Sequence, residues 1–337
     1  MCFRTHRMVL LFLACLILGS TESKGQYTWT GNSGTNWTTA GNWTGGVPVS
    51  GQNTTLTFGS TAQSFANNDI ATNPFVLNSL TVNSAAPASW LIIGNPLSFR
   101  TSTGNVLPTF SVASGKNVVV RNAIILTNNT TFDIAGTGSF DMDGNTSTAI
   151  ISGAGQLTKT GAGTMYLGDN IANNLNSYTG ATSIQDGTVQ VDSIGNAGVN
   201  SSLGAGSSIT LGSATTSGTL YANYNFNTNR SFSIAAGGGA ITVSGFSNFI
   251  SGQLSGSGKL SVTGVLTGYD LSLSANNSGF TGQIDVSNVA KLIAANANAL
   301  GSGSAGVTLN RGVLELSELV ISGKTLTMNP VGVNFVC

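Results

Sequence analysis

The chain has 337 residues, of which 7% are charged, and its 12 basic and 12 acidic side chains give a net charge of +0. Disordered chains are charge-rich and poor in apolar residues, whereas this one is 40% hydrophobic and carries 45 glycines, so its composition excludes disorder. It also excludes a nucleic-acid partner, because the basic residues are scattered singly and form no stripe to neutralise phosphates.

In chain order, Arg4, His6 and Arg7 precede the apolar run Met8 to Leu18, and small residues Gly19, Ser20 and Ser23 follow. Residues 1–25 therefore read as a signal peptide, with cleavage expected between Gly19 and Gln26. A lipoprotein signal using Cys15 is the weaker reading, since Leu16-Ile17-Leu18 continue the apolar run past the cysteine. The expected location is secreted or at the cell surface. No later stretch is long and apolar enough to span a membrane as a helix. Removing the signal leaves Cys337 as the one cysteine, so no internal disulfide is expected.

Residues 26–55 are rich in aromatics, with Trp29, Trp37 and Trp43 close together. A solenoid needs bulky apolar groups over its open first coil, so an N-terminal cap is the adopted reading. Flat rings also stack on sugars, which makes the three tryptophans candidate glycan contacts.

Residues 56–337 read as a succession of short strands, each alternating apolar and polar residues and closed by Gly or Asn. Expected strands include Thr54–Phe58, Val76–Val82, Trp90–Ile93, Lys116–Arg121, Ala123–Leu126 and Thr131–Ile134. Val289 to Leu300 is Ala-rich enough for a helical turn. The clearest block runs from Gly153 to Val191. There Leu157, Met165, Leu167, Ile184, Val189 and Val191 fall on inward positions, and Thr158, Thr164, Gln185, Thr188 and Gln190 on outward ones. Such recurrence predicts a stacked solenoid in which each coil covers the next.

This block resembles the autotransporter-associated β-strand repeat. The matching residues are Leu157, Thr158, Lys159, Gly161, Gly163 and Thr164, then Tyr178-Thr179-Gly180, then Gly187, Thr188 and Val189. The resemblance implies secretion and passenger-like architecture, and the N-terminal aromatic segment is similar to the opening of large secreted proteins that carry this repeat. Tyr178-Thr179-Gly180 recurs as Phe280-Thr281-Gly282, and Ser202-Leu203-Gly204 as Ala299-Leu300-Gly301. Residues 153–220 and 256–314 are therefore read as two copies of one unit. The fold expected is all-β, a right-handed parallel β-helix with an aromatic cap. Lys324 to Met328 and Val331 to Cys337 still read as strand, which favours truncation of a longer protein over a covering partner.

The chemistry is mostly negative. His6 is the one histidine and lies in the signal, so no Ser-His-Asp triad, Cys-His pair or histidine metal site is available to the mature chain. No cofactor and no metal are expected. Asp141 with Asp143, Asp186 with Asp192, and Glu315 with Glu318 are the acid pairs to weigh for sugar chemistry. Each reads as a solvated face, although Asp141 to Asn145 has the flavour of a calcium loop with the wrong spacing. The leading reading is a non-enzymatic exported scaffold for adhesion or extracellular-matrix contact. A glycan-binding or polysaccharide-degrading β-helix is the alternative.

Overall fold

A computed structural model describes residues 25–59, 63–142, 149–168, 175–288, 290–302 and 304–329. Residues 1–24 of the expected signal segment, Asp143 and the stretch from Val331 to Cys337 lie outside the described residues. The chain winds into a parallel β-solenoid with three faces. The first face is an 11-stranded sheet from Gln26–Trp29 to Leu254–Gly256. The second is a 12-stranded sheet from Phe65–Asn68 to Leu326–Met328. The third is split into a four-stranded sheet ending at Ile151–Gly153 and a five-stranded sheet starting at Asn227–Thr228. Among the described residues the one helical element is the 3-10 turn Ala40–Asn42, so the Ala-rich segment is no helix; it contains the strand Lys291–Ala294.

Period-2 alternation builds the core. In the first face Phe110, Phe132, Lys159, Ile184 and Leu211 lie in one register on successive coils. One residue along, Thr57, Thr81, Ser111, Asp133 and Thr160 form the matching outward column. Parallel neighbours stand about 4.8 Å apart, so an outward column of like charges would repel, whereas hydroxyls are neutral and pair with what is beside them. The one acid in that column is used, because Thr160 Oγ1 donates to Asp133 Oδ1 at 3.0 Å. This is why so little charge is spread over so long a stack.

The expected strand Val76–Val82 is two strands, Phe75–Leu77 on the third face and Ser79–Val82 on the first. Asn78 is the corner between them. It is buried, and its Nδ2 donates to the carbonyls of Arg100 at 2.8 Å and Val106 at 2.9 Å. A buried amide that bonds backbone on the next coil turns the chain and ties two coils together.

At the N-terminal end, Trp43–Thr44 pairs antiparallel with Gln26–Trp29, covering the edge that the parallel stack leaves open. Trp29, Trp37, Trp43 and Phe58 pack edge-to-face or tilted, with centroids 4.9–6.1 Å apart.

Backbones of successive coils touch where the motif has glycine. A Cβ on Gly180 would sit 2.3 Å from the Gly155 carbonyl oxygen. Gly180→Ala should therefore cost about 2–3 kcal/mol in urea unfolding, since backbone rather than a flexible side chain must move. Gly161 needs glycine twice over, with φ at 72° and a Cβ position 2.4 Å from the Ile134 oxygen.

Candidate functional site

The three candidate glycan contacts at the N-terminus are corrected by the structure. Trp29 and Trp37 are fully buried and Trp43 nearly so, which leaves no ring face for a sugar. Trp43 Nε1 donates to the Trp37 carbonyl at 3.0 Å, while the indole nitrogens of Trp29 and Trp37 have no acceptor. Each unmet indole costs about 1–3 kcal/mol, which the burial of large rings offsets.

The repeat-motif residues gather at the corners and inner face of consecutive coils. Leu157 and Val189 are core, Thr158, Thr164 and Thr188 are half-buried on the outside, and Thr179 and Thr281 are exposed. Tyr178 is fully buried, and its hydroxyl shares a hydrogen bond with Thr182 Oγ1 at 2.8 Å. Burial pushes the phenol up to about 12.

Lys159 is the unexpected core residue. It lies between Phe132 and Ile184 in the inward column with its side chain wholly buried. The stem packs inside and the ammonium turns to the corner. There Nζ donates to the carbonyls of Thr160 at 2.8 Å, Gly161 at 2.6 Å and Asp186 at 3.2 Å. Desolvation holds the ammonium down at about 8, although Asp186 and Asp133 pull the other way. The alternation from Leu157 gives Lys159 an inward position, but its charge suggests the surface, and the corner carbonyls that make its burial possible are not displayed by the local pattern.

Two asparagines outside the motif perform equivalent work. Asn176 Oδ1 accepts from Ile151 N at 2.7 Å and its Nδ2 donates to the Ser202 carbonyl at 2.8 Å. Asn277 Oδ1 accepts from Leu254 N at 2.8 Å and its Nδ2 donates to the Ala299 carbonyl at 2.7 Å. Each amide bridges the coil before and the coil after. Asn176→Ala should cost about 2–4 kcal/mol in a denaturation assay, because it leaves a buried N–H and a buried carbonyl unmet; Asn176→Asp, which keeps the acceptor for Ile151 N but turns a buried carboxylate oxygen onto the Ser202 carbonyl, should cost at least as much at neutral pH.

Tyr178 and Phe280 share a sequence pattern but not a face. Thr179 N donates to Gly153 O at 2.9 Å, which places the Tyr178 segment on the third face, in the gap between its two sheets. Phe280 bridges Gly256, which places it on the first face beyond Leu254–Gly256. The strand after Gly180 lies in the first sheet and the strand after Gly282 in the second. The later segment is thus rotated by one face of the coil relative to the earlier one. A three-sided coil with equivalent corners accommodates such a shift without breaking register.

Arg230 locks the loop that follows Val191. It is fully buried, and burial lowers its affinity for the proton. Its Nε donates to Gly195 O at 2.9 Å and Nη1 to Leu203 O at 2.8 Å. Nη2 reaches Gly204 O at 2.6 Å, Val199 O at 3.2 Å and Ser201 Oγ at 3.2 Å. Lys324 does a smaller version of this work, donating to Ser302 O at 3.2 Å and Ala305 O at 3.0 Å.

The acid pairs stay apart or engaged. Asp186 and Asp192 flank the strand Gly187–Val191, which separates them by about 20 Å, beyond the spacing of paired carboxylates in glycoside hydrolysis. Glu315 is paired with Lys291 at 3.1 Å. Asp141 lies in the strand Ser139–Met142, and its expected partner Asp143 is outside the described residues. No group of three or more His, Cys, Asp or Glu among the described residues is placed to hold a metal ion. No helix among them is long and apolar enough to cross a membrane.

Residues 157–191 match the passenger-associated transport repeat. The chain is 31% identical over 206 residues to the adhesin BmaC autotransporter of Brucella suis biovar 1 (strain 1330). That alignment covers 56% of this chain, and the chain spans about 6% of the length of that relative. No solved structure matches. Motif, coil geometry and likeness agree: the chain carries an autotransporter-associated repeat at 157–191 within a parallel β-solenoid, and is similar to an autotransporter adhesin over 206 residues.

Proposed function

We propose that the chain is a surface-displayed, non-enzymatic passenger segment, a stiff rod that presents outward ladders and corner loops for adhesion to cells or extracellular matrix. The observation that carries this reading is the 31% identity to a protein named as an adhesin, over a stretch that covers 56% of this chain. The physical chemistry is in keeping with it. Buried Lys159, Tyr178 and Arg230 bond within the coil, which makes their work mechanical. The separated acids support a rod over a polysaccharide-degrading enzyme.

The test is binding of the full secreted chain, coated on beads, to host cells and to matrix-coated surfaces. The expected result is saturable attachment above that of albumin-coated beads. Attachment no greater than albumin on every surface would overturn the adhesive reading.

A further inference from the structure

Near the corner between the second and third faces, three successive coils carry an aromatic column, exposed at Tyr224 and Phe246 and half-buried at Tyr269. Asn227, Phe249 and Ser272 are register partners, so Tyr224, Phe246 and Tyr269, each three residues earlier, take equivalent positions. Phe246 is 62% and Tyr224 46% exposed. The rings of Phe246 and Tyr269 meet at 4.7 Å and 78°. With Phe249, 43% exposed, Tyr224 and Phe246 are the exposed aromatic side chains among the described residues, and all three lie within this one region. Water-facing aromatics clustered on an otherwise neutral, hydroxyl-covered rod mark a contact surface.

A cavity of about 420 Å³ adjoins this column through the loop from Val265 to Tyr269. Thr242, Thr263, Asn288 and Arg311 line it together with Val265. Thr242, Thr263 and Ser287 stand in one register, giving a hydroxyl on each coil. Asn288 and Arg311 both hold left-handed backbone, with φ at 50° and 62°, at the ends of successive second-face strands. Such conformations are costly for residues other than glycine and cluster where a side chain is being aimed. The nearby acids are already engaged, Asp285 with Lys259 at 3.1 Å and Glu315 with Lys291 at 3.1 Å. Arg311 is the exposed cation lining this cavity, and its guanidinium meets none of these acids.

We infer that this corner is a binding site for a carboxylate-bearing oligosaccharide. The apolar faces of sugar rings rest on Phe246 and Tyr224. The hydroxyl and amide column takes the sugar hydroxyls. Arg311 takes the carboxylate, for which a guanidinium fork is the matching donor. A single cation on a neutral surface does not suit a polyphosphate, which needs many. The inference rests on the adhesive reading and gives it a ligand class and an address.

The test is calorimetry on the full secreted chain with three acidic probes: an oligogalacturonate, a hyaluronan oligosaccharide and a sialylated trisaccharide. Each is compared with its carboxyl-reduced form. The expected result is that at least one acidic probe binds, with the reduced form about tenfold weaker or worse. Phe246→Ala should weaken binding about tenfold, and Arg311→Met should do the same and abolish preference over the reduced probe. Both side chains are exposed, so circular dichroism and the melting midpoint should stay at the wild-type values. No binding to any probe, equal binding of the reduced forms, or unchanged binding by both variants would overturn the site. If bead attachment to cells persists while no saccharide binds, this inference fails and the adhesive reading stands. Capture of a matrix protein through Phe246 and Arg311 without its glycans would overturn the saccharide class.

Discussion

Arg230→Met should lower the stability of the central coils by about 3–5 kcal/mol, the largest loss expected from any single substitution in this chain. Methionine fills a similar volume but donates nothing. The carbonyls of Gly195, Leu203 and Gly204 would then lose their charged donor inside a loop that is otherwise held by few strands. Water can reach part of that loop, which keeps the cost from rising further. Solenoids unfold by neighbouring units, so the damage should be local. Hydrogen exchange should speed up over 194–206 and in the flanking strands Ser208–Leu211 and Ser231–Ile234, and stay unchanged around Phe110 and Phe132. Arg230→Lys, which reaches fewer acceptors, should fall between. Wild-type exchange in the methionine variant would show that the guanidinium does not hold the loop.

The second large effect is a stability maximum near pH 10. Lys159 titrates at about 8 in the folded chain and at 10.5 in its ordinary state. Between those values the unfolded chain holds the extra proton, so stability rises with pH, by roughly 2–3 kcal/mol in all. Tyr178 behaves in the opposite sense. Its phenol keeps its proton to about 12 when folded, against an ordinary 10.0. Between those values the folded chain holds the extra proton, so stability falls as pH climbs, by a similar amount. Lys324, lowered by burial, adds to the rise. Urea midpoints from pH 7 to 11.5 should therefore trace a dome. Lys159→Met should flatten the rising limb and Tyr178→Phe the falling one. A wild-type profile that only declines above pH 8 would mean that the Lys159 ammonium is better solvated than its burial implies.

How far the sequence speaks for itself can be judged from particular residues. Leu157, Met165, Ile184 and Val189 follow a strict period of two, and all are core. The alternation carries that information because a coil face buries one side of each strand. Lys159 obeys the same period but is charged, and composition alone suggests the surface for it. Its burial depends on carbonyls of the next corner, which no local pattern displays. Asn78 failed the strand reading for a related reason. Within Val76 to Val82 the apolar run masks a corner, and only the acceptors on Arg100 and Val106 make an asparagine turn there. Trp29 and Trp37 show the ambiguity of aromatics, since clustering fits both a cap and a sugar platform and only burial separates them. The aromatic column at Tyr224, Phe246 and Tyr269 was invisible because its members lie on three coils. Register places them side by side, and the chain order does not.

Display of this repeat rod outside the cell is tested most directly by antibody labelling of intact source cells. An antibody raised against residues 150–320 should label unpermeabilised cells, and external protease should remove that label while an internal marker survives. Labelling that appears only after permeabilisation, with the protein resistant to external protease, would contradict surface display.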